Sequence, residues 1–176
     1  MKTNNGSTLI SATHTRENGM KERFSTEEWN DLLVLPFHLF TAIALADGEI
    51  QKEELKEFLE RTQRGALGYK DPLHKEVARG IIDADTAELF KAATANAGWD
   101  PERVKQTMKE KLTADEYQGF IGSLFIDLVN IASASKTGGW FRLFKKTAVD
   151  KDEQERLVAI GLFWELDLTR MEVFKK

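Results

Sequence analysis

The chain contains no cysteine among its 176 residues. Disulfides, thiolate metal sites and cysteine nucleophiles are therefore excluded, and a reducing compartment suits the composition. No stretch approaches the roughly 18 uncharged apolar residues of a membrane span. The first residues, MKTNNGSTLISATHTRENGMKERF, carry one Lys beside Met1 and no apolar run, so they do not read as a secretory leader. Neither sign of charge dominates: 25 Lys and Arg stand against 29 Asp and Glu, for a net charge of -4. Such a balance gives no general attraction to nucleic acid or anionic lipid. Chemical motifs are sparse too. His14, His38 and His74 are far apart, and the zinc motif His-Glu-x-x-His is missing. So are a Gly-x-Ser-x-Gly elbow, a phosphate-cradling glycine loop and a dinucleotide fingerprint. The expected class is a cytoplasmic soluble protein with no nucleic-acid partner.

What is present is helical periodicity. Apolar residues make up 41% and charged residues 31%, enough for one domain with a sizeable core. Residues 1–23 are polar and read as a disordered N-terminal tail, leaving 24–176 as a single domain. Ser25 with Glu28 forms a capping box before EEWNDLLVLPFHLFTAIALA. Pro36 inside that segment is expected to kink the helix or divide it in two. A second helix is predicted from Ile50 to Thr62, with RGALGYKDP as a loop. Asp71-Pro72 and Asp100-Pro101 each open a helix by cap and first-turn proline. Asp83 or Asp85 caps another, and carboxylates at a helix start usually answer the dipole. Thr113 with Glu116 makes a second capping box. A final helix covers DEQERLVAIGLFWELDL. His38, inside the first apolar segment, reads as a core histidine. No segment alternates as a strand does, so the fold is predicted all-α, a compact helical bundle.

The stretch ALADGEIQKEEL, residues 44–55, holds the chain's most specific pattern. Its Asp-Gly-x-Ile-x-x-x-Glu matches the second half of an EF-hand loop through Asp47, Gly48, Ile50 and Glu54. The first half fails, because Leu45 and Ile43 stand where oxygen ligands belong. At about 100° per residue, Glu54 falls between Ile50 and Phe58, inside the apolar arc of its helix. Glu53 points toward the edge of that arc. A carboxylate aimed at the core needs a partner. Two readings follow: Glu54 braces the Asp47-Gly48 turn, or Asp47, Glu49 and Glu54 share a divalent cation.

Pro36 followed by an apolar helix and AIALADGEIQKEELKEFLE resembles the first signature of the tellurite-resistance TerB-like family. TAVDKDEQERLVAIGLFWELDL is similar to its second, with Asp150 in place of the turn Asp and Glu155 in place of the helix Glu. Lys151 stands where the first signature has Gly48. The resemblance covers roughly residues 33–60 and 145–170. It implies an all-α bundle with an approximate internal two-fold repeat, an association with stress resistance and no established catalysis. It also implies divalent-cation binding by Asp47, Glu49, Glu53 and Glu54; because the first half of the loop lacks oxygen side chains, binding of calcium or magnesium there is expected to be weak. Asp150, Asp152, Glu153 and Glu155 are the counterparts in the second signature.

Three functions therefore compete. The first is a non-enzymatic stress-response and interaction module with an unidentified protein partner. The second is a structural docking domain that meets a protein or a membrane surface through Trp140–Lys146, where aromatic and basic residues interleave. The third is an enzyme in which clustered carboxylates and a metal hydrolyse phosphate esters.

Overall fold

The computed structural model describes residues 19–45, 50, 52–95, 98–132 and 151–167, with side chains from residue 155 onward in the last segment. Among them the fold is all-α, with seven helices: α1 (Thr26–Ala44), α2 (Lys52–Gly68), α3 (Pro72–Asp83), α4 (Thr86–Ala95), α5 (Pro101–Lys111), α6 (Ala114–Ala132) and α7 (Lys151–Phe163). None of the described helices is long and apolar enough to cross a membrane.

Capping chemistry sets most of the helix starts. Ser25 and Glu28 exchange reciprocal hydrogen bonds at α1, as Thr113 and Glu116 do before α6. Asp71 and Asp100 cap α3 and α5, each followed by proline at the first helical position. Of the two candidates before α4, Asp85 accepts the backbone N–H groups of Ala87 and Glu88. Each such cap contributes about 1 kcal/mol.

α1 is the axis of the bundle. It packs against α3, α4, α5, α6 and α7, and its buried residues lie all around it, including Leu32, Leu35, Phe37, Phe40 and Ile43. It runs unbroken through Pro36. A proline inside a helix costs about 3 kcal/mol. The fully buried Leu35, Phe37 and Phe40 beside it recover about 1.5–3 kcal/mol each, so burial wins and the helix is not divided. Phe58 of α2 fits between two rings of α1, stacked on Phe40 at 4.8 Å and edge-on to Phe37 at 4.9 Å. The most extensive helix pairing is α2 with α3, rather than α1 with α2.

Three boundaries differ from the sequence reading. α2 continues through RGALG to Gly68, leaving a loop of only Tyr69–Asp71. Gly65 and Ala66 are buried there, and the missing side chain of Gly65 makes room for the ring of Tyr69. α7 stops at Phe163 because Glu165 takes a left-handed conformation, φ 52°. Its N–H bonds to the carbonyl of Leu162, and that of Leu166 to the carbonyl of Gly161, a Schellman stop. Residues 20–23, grouped with the tail by composition, form a 3-10 helix. The N–H groups of Met20 and Lys21 donate to the Glu76 carboxylate of α3, and Met20 is buried.

Candidate functional site

Glu54 is 2% exposed, on the face of α2 that carries Phe58 into the core. Ile50, Leu55 and Leu59 are partly buried against the same hydrophobic core as Phe58. Glu54 thus lies inside the apolar arc of its helix, as the spacing of about 100° per residue predicts. Glu53, next to it, is exposed, and so is Glu155 of α7. Asp47, Gly48, Glu49 and Asp150 lie outside the described residues, as do the side chains of Asp152 and Glu153 and the whole of Trp140–Lys146. Among the described residues no group of three or more His, Asp or Glu side chains is arranged to hold a metal ion. Glu53 and Glu155 therefore do not complete a site with Glu54 there.

A second polar centre lies between α2, α3 and α6, and sequence reasoning did not find it. His74 of α3 is 4% exposed. Its Nδ1 lies 2.6 Å from Ser123 Oγ and its Nε2 3.8 Å from Asp127 Oδ2. Ser123 and Asp127 sit one turn apart on α6. Tyr69 donates its hydroxyl to Asp127, and Arg61 Nη1 reaches the other carboxylate oxygen at 3.3 Å. Arg61 Nε is 2.7 Å from Glu57 Oε1, an ion pair in which the N–H is not aimed at the oxygen.

Burial governs the protonation of this centre. It holds the His74 imidazole neutral by lowering its pKa to about 3, so the contact with Asp127 is a polar one and not a charged bridge. Burial raises the Asp127 pKa, opposed by the hydrogen bond from Tyr69 and by the Arg61 charge. The Tyr69 phenol is pushed strongly upward, first by burial and then by Asp127, and stays protonated. The cavity these groups border holds only about 20 Å3, room for about one water. Ser123 also faces outward, onto a cleft of about 880 Å3 lined by the Tyr69–Pro72 segment, Gly119, Gly122 and Leu166.

The signal that could have revealed this centre is modest. Asp127 is the only charged residue between Glu116 and the end of α6, and a lone carboxylate in an apolar helix needs a partner. His38, by contrast, is half-buried and stacks on Trp99 at 3.9 Å, with its pKa lowered by burial to about 4. It is a packed histidine, as read from sequence.

Comparison of the chain with protein-family models, with curated proteins and with solved structures returns no match.

Proposed function

We propose that the chain is a TerB-like, non-enzymatic stress-response and interaction module of the cytoplasm, with a weak divalent-cation site at the corner from Asp47 to Glu54. The observation that supports it is the inward burial of Glu54, 2% exposed in the first turn of the helix that follows Asp47, Gly48 and Glu49. Its neighbour Glu53 faces water, so solvation was open to an acid in this turn. A carboxylate turned inward at this corner offers oxygen ligands of the kind a hard cation takes. The resemblance extends the reading to Asp150 and Glu155 and to an approximate internal repeat.

The cation is calcium or magnesium, bound in the 10⁻⁴–10⁻³ M range of the weakest calcium modules. At 10 mM cation and a Kd of about 1 mM, binding adds about 1.4 kcal/mol to stability. A thermal-shift series with calcium and magnesium tests this. The wild type should gain a few degrees, and Glu54→Gln should lose the gain while remaining folded. A wild type indifferent to 10 mM of both ions refutes the cation site and leaves Glu54 as a brace for the turn.

A second reading, a structural docking domain, is favoured by α7. Val158 and Leu162 lie one turn apart, 59% and 74% exposed, on the helix that follows Trp140–Lys146. Sedimentation with liposomes tests its membrane form: a chain that stays in the supernatant is not a membrane-docking domain.

A further inference from the structure

His74 and Asp127 face each other at a distance that no direct hydrogen bond spans. Tyr69 donates to one Asp127 oxygen and Arg61 to the other, so the carboxylate acts as an acceptor. It attracts a proton on His74 Nε2 and repels a lone pair there, which places the imidazole proton on Nε2. Nδ1 then accepts from the Ser123 hydroxyl at 2.6 Å. Between Nε2 and Asp127 Oδ2 the separation is 3.8 Å, too long for a direct bond. A polar contact of that length calls for a bridging group.

The small cavity lies where such a group would sit. It holds about 20 Å3 and is bordered by Arg61, Thr62, Tyr69, His74 and Asp127. One water needs about 10–15 Å3 and two to four polar partners. The partners are present. Thr62 gives its hydroxyl proton to the Phe58 carbonyl at 3.0 Å, so its oxygen is left to accept. Arg61 Nε is buried and its N–H has no acceptor. Leu39, Phe58, Val77, Leu124 and Ile131 supply apolar wall, which offers a larger ligand neither room nor polar partners. Arg61 offsets the charge of Asp127, so neither a cation nor an anion is favoured.

We propose that one internal water occupies this cavity and joins α2, α3 and α6. It accepts from His74 Nε2–H, donates to Asp127 Oδ2 and Thr62 Oγ1, and keeps a second lone pair for Arg61 Nε–H. Thr62 belongs to α2, His74 to α3 and Asp127 to α6, so each helix supplies a partner. The water completes the hydrogen bonding of the centre and fixes the Asp127 carboxylate against Tyr69 and Arg61. The site stands independently of the cation corner.

A crystal structure of the full chain, at a resolution that shows ordered water, tests the site directly. One peak is expected within about 2.7–3.2 Å of both His74 Nε2 and Asp127 Oδ2. Solution NMR supplies the second reading. A water held longer than the protein takes to tumble gives NOEs of the protein's own sign. The methyl groups of Val77, Leu124 and Ile131, which line the cavity, should show such NOEs at the water frequency. Those of Leu67, 81% exposed, should not. A cavity without a density peak overturns the proposal. So does a peak without NOEs, which would be a water trapped in the crystal only. NOEs without a peak would be relayed by the Thr62 or Tyr69 hydroxyl, and overturn it too.

Discussion

The phenol ring of Tyr69 lies almost parallel to the imidazole of His74, with centroids 3.6 Å apart and planes 13° from parallel. The ring also lies against Gly65, where a β-carbon would collide with it. Gly65→Ala gains up to about 1 kcal/mol in helix propensity, but it must push Tyr69 off His74, an overpacking cost of about 1–3 kcal/mol. Net destabilisation is expected. Gly68→Ala, where a β-carbon meets nothing within 4 Å, should be neutral or stabilising by up to about 1 kcal/mol. Urea midpoints of the two variants moving in the same direction would contradict this account of the α2–α3 corner.

Asp127 holds three partners at once, so its loss should be severe. Asp127→Ala leaves the Tyr69 hydroxyl and the Arg61 guanidinium without their acceptor in a half-buried site. A loss of about 2–4 kcal/mol is expected from stranded polar groups. A change under about 0.5 kcal/mol in equilibrium unfolding would mean that water replaces the carboxylate freely.

His74 makes stability depend on pH in a defined direction. Its folded pKa of about 3 lies below the ordinary 6.5, so the unfolded chain binds a proton that the folded chain refuses. Stability from this group is complete above pH 6.5 and is lost as the pH falls toward 3, by up to about 1.4 kcal/mol per unit. His38, lowered to about 4, acts in the same sense. Asp127, raised by burial, acts in the opposite one. Between pH 6.5 and 4.5, His74→Gln should flatten the slope measured by urea unfolding, and His38→Gln should flatten it less. An unchanged slope in His74→Gln would mean that the imidazole is accessible to protons while folded.

Truncation separates the two parts of the N-terminal region. Removing residues 1–18 should leave the melting temperature within about a degree, as their polar composition suggests. Removing residues 1–23 also takes away buried Met20, the two N–H bonds to Glu76 and the Arg23–Glu116 ion pair at 2.9 Å. A loss of about 1–2 kcal/mol corresponds to several degrees in a domain of this size. Equal melting temperatures for the two truncations would show that the 3-10 helix adds nothing.

Local rules made much of this fold legible. The capping pairs Ser25–Glu28 and Thr113–Glu116, and the Asp-Pro starts at 71 and 100, are decided within four residues, and the structure places them as read. The inward turn of Glu54 also follows from helical geometry alone. Where sequence reasoning stopped short, a distant residue decides the outcome. Gly65 reads as a helix breaker until the Tyr69 ring is seen against it. Pro36 reads as a divider until the burial of Phe37 and Phe40 is weighed against one lost hydrogen bond. Met20 looks like tail until Glu76, 56 residues away, receives its N–H. The centre of Arg61, Tyr69, His74, Ser123 and Asp127 joins three helices, and no single stretch of chain contains its pattern.

The central claim is cation binding at the Asp47–Glu54 corner, and a calcium titration followed by amide NMR tests it most directly. The amides of Gly48 and Glu54 should shift saturably, with a Kd of about 0.1–1 mM, and the same titration of Glu54→Gln should leave them unmoved. Amides at this corner that stay fixed in the wild type up to 10 mM calcium, while its spectrum is that of a folded protein, would contradict the claim.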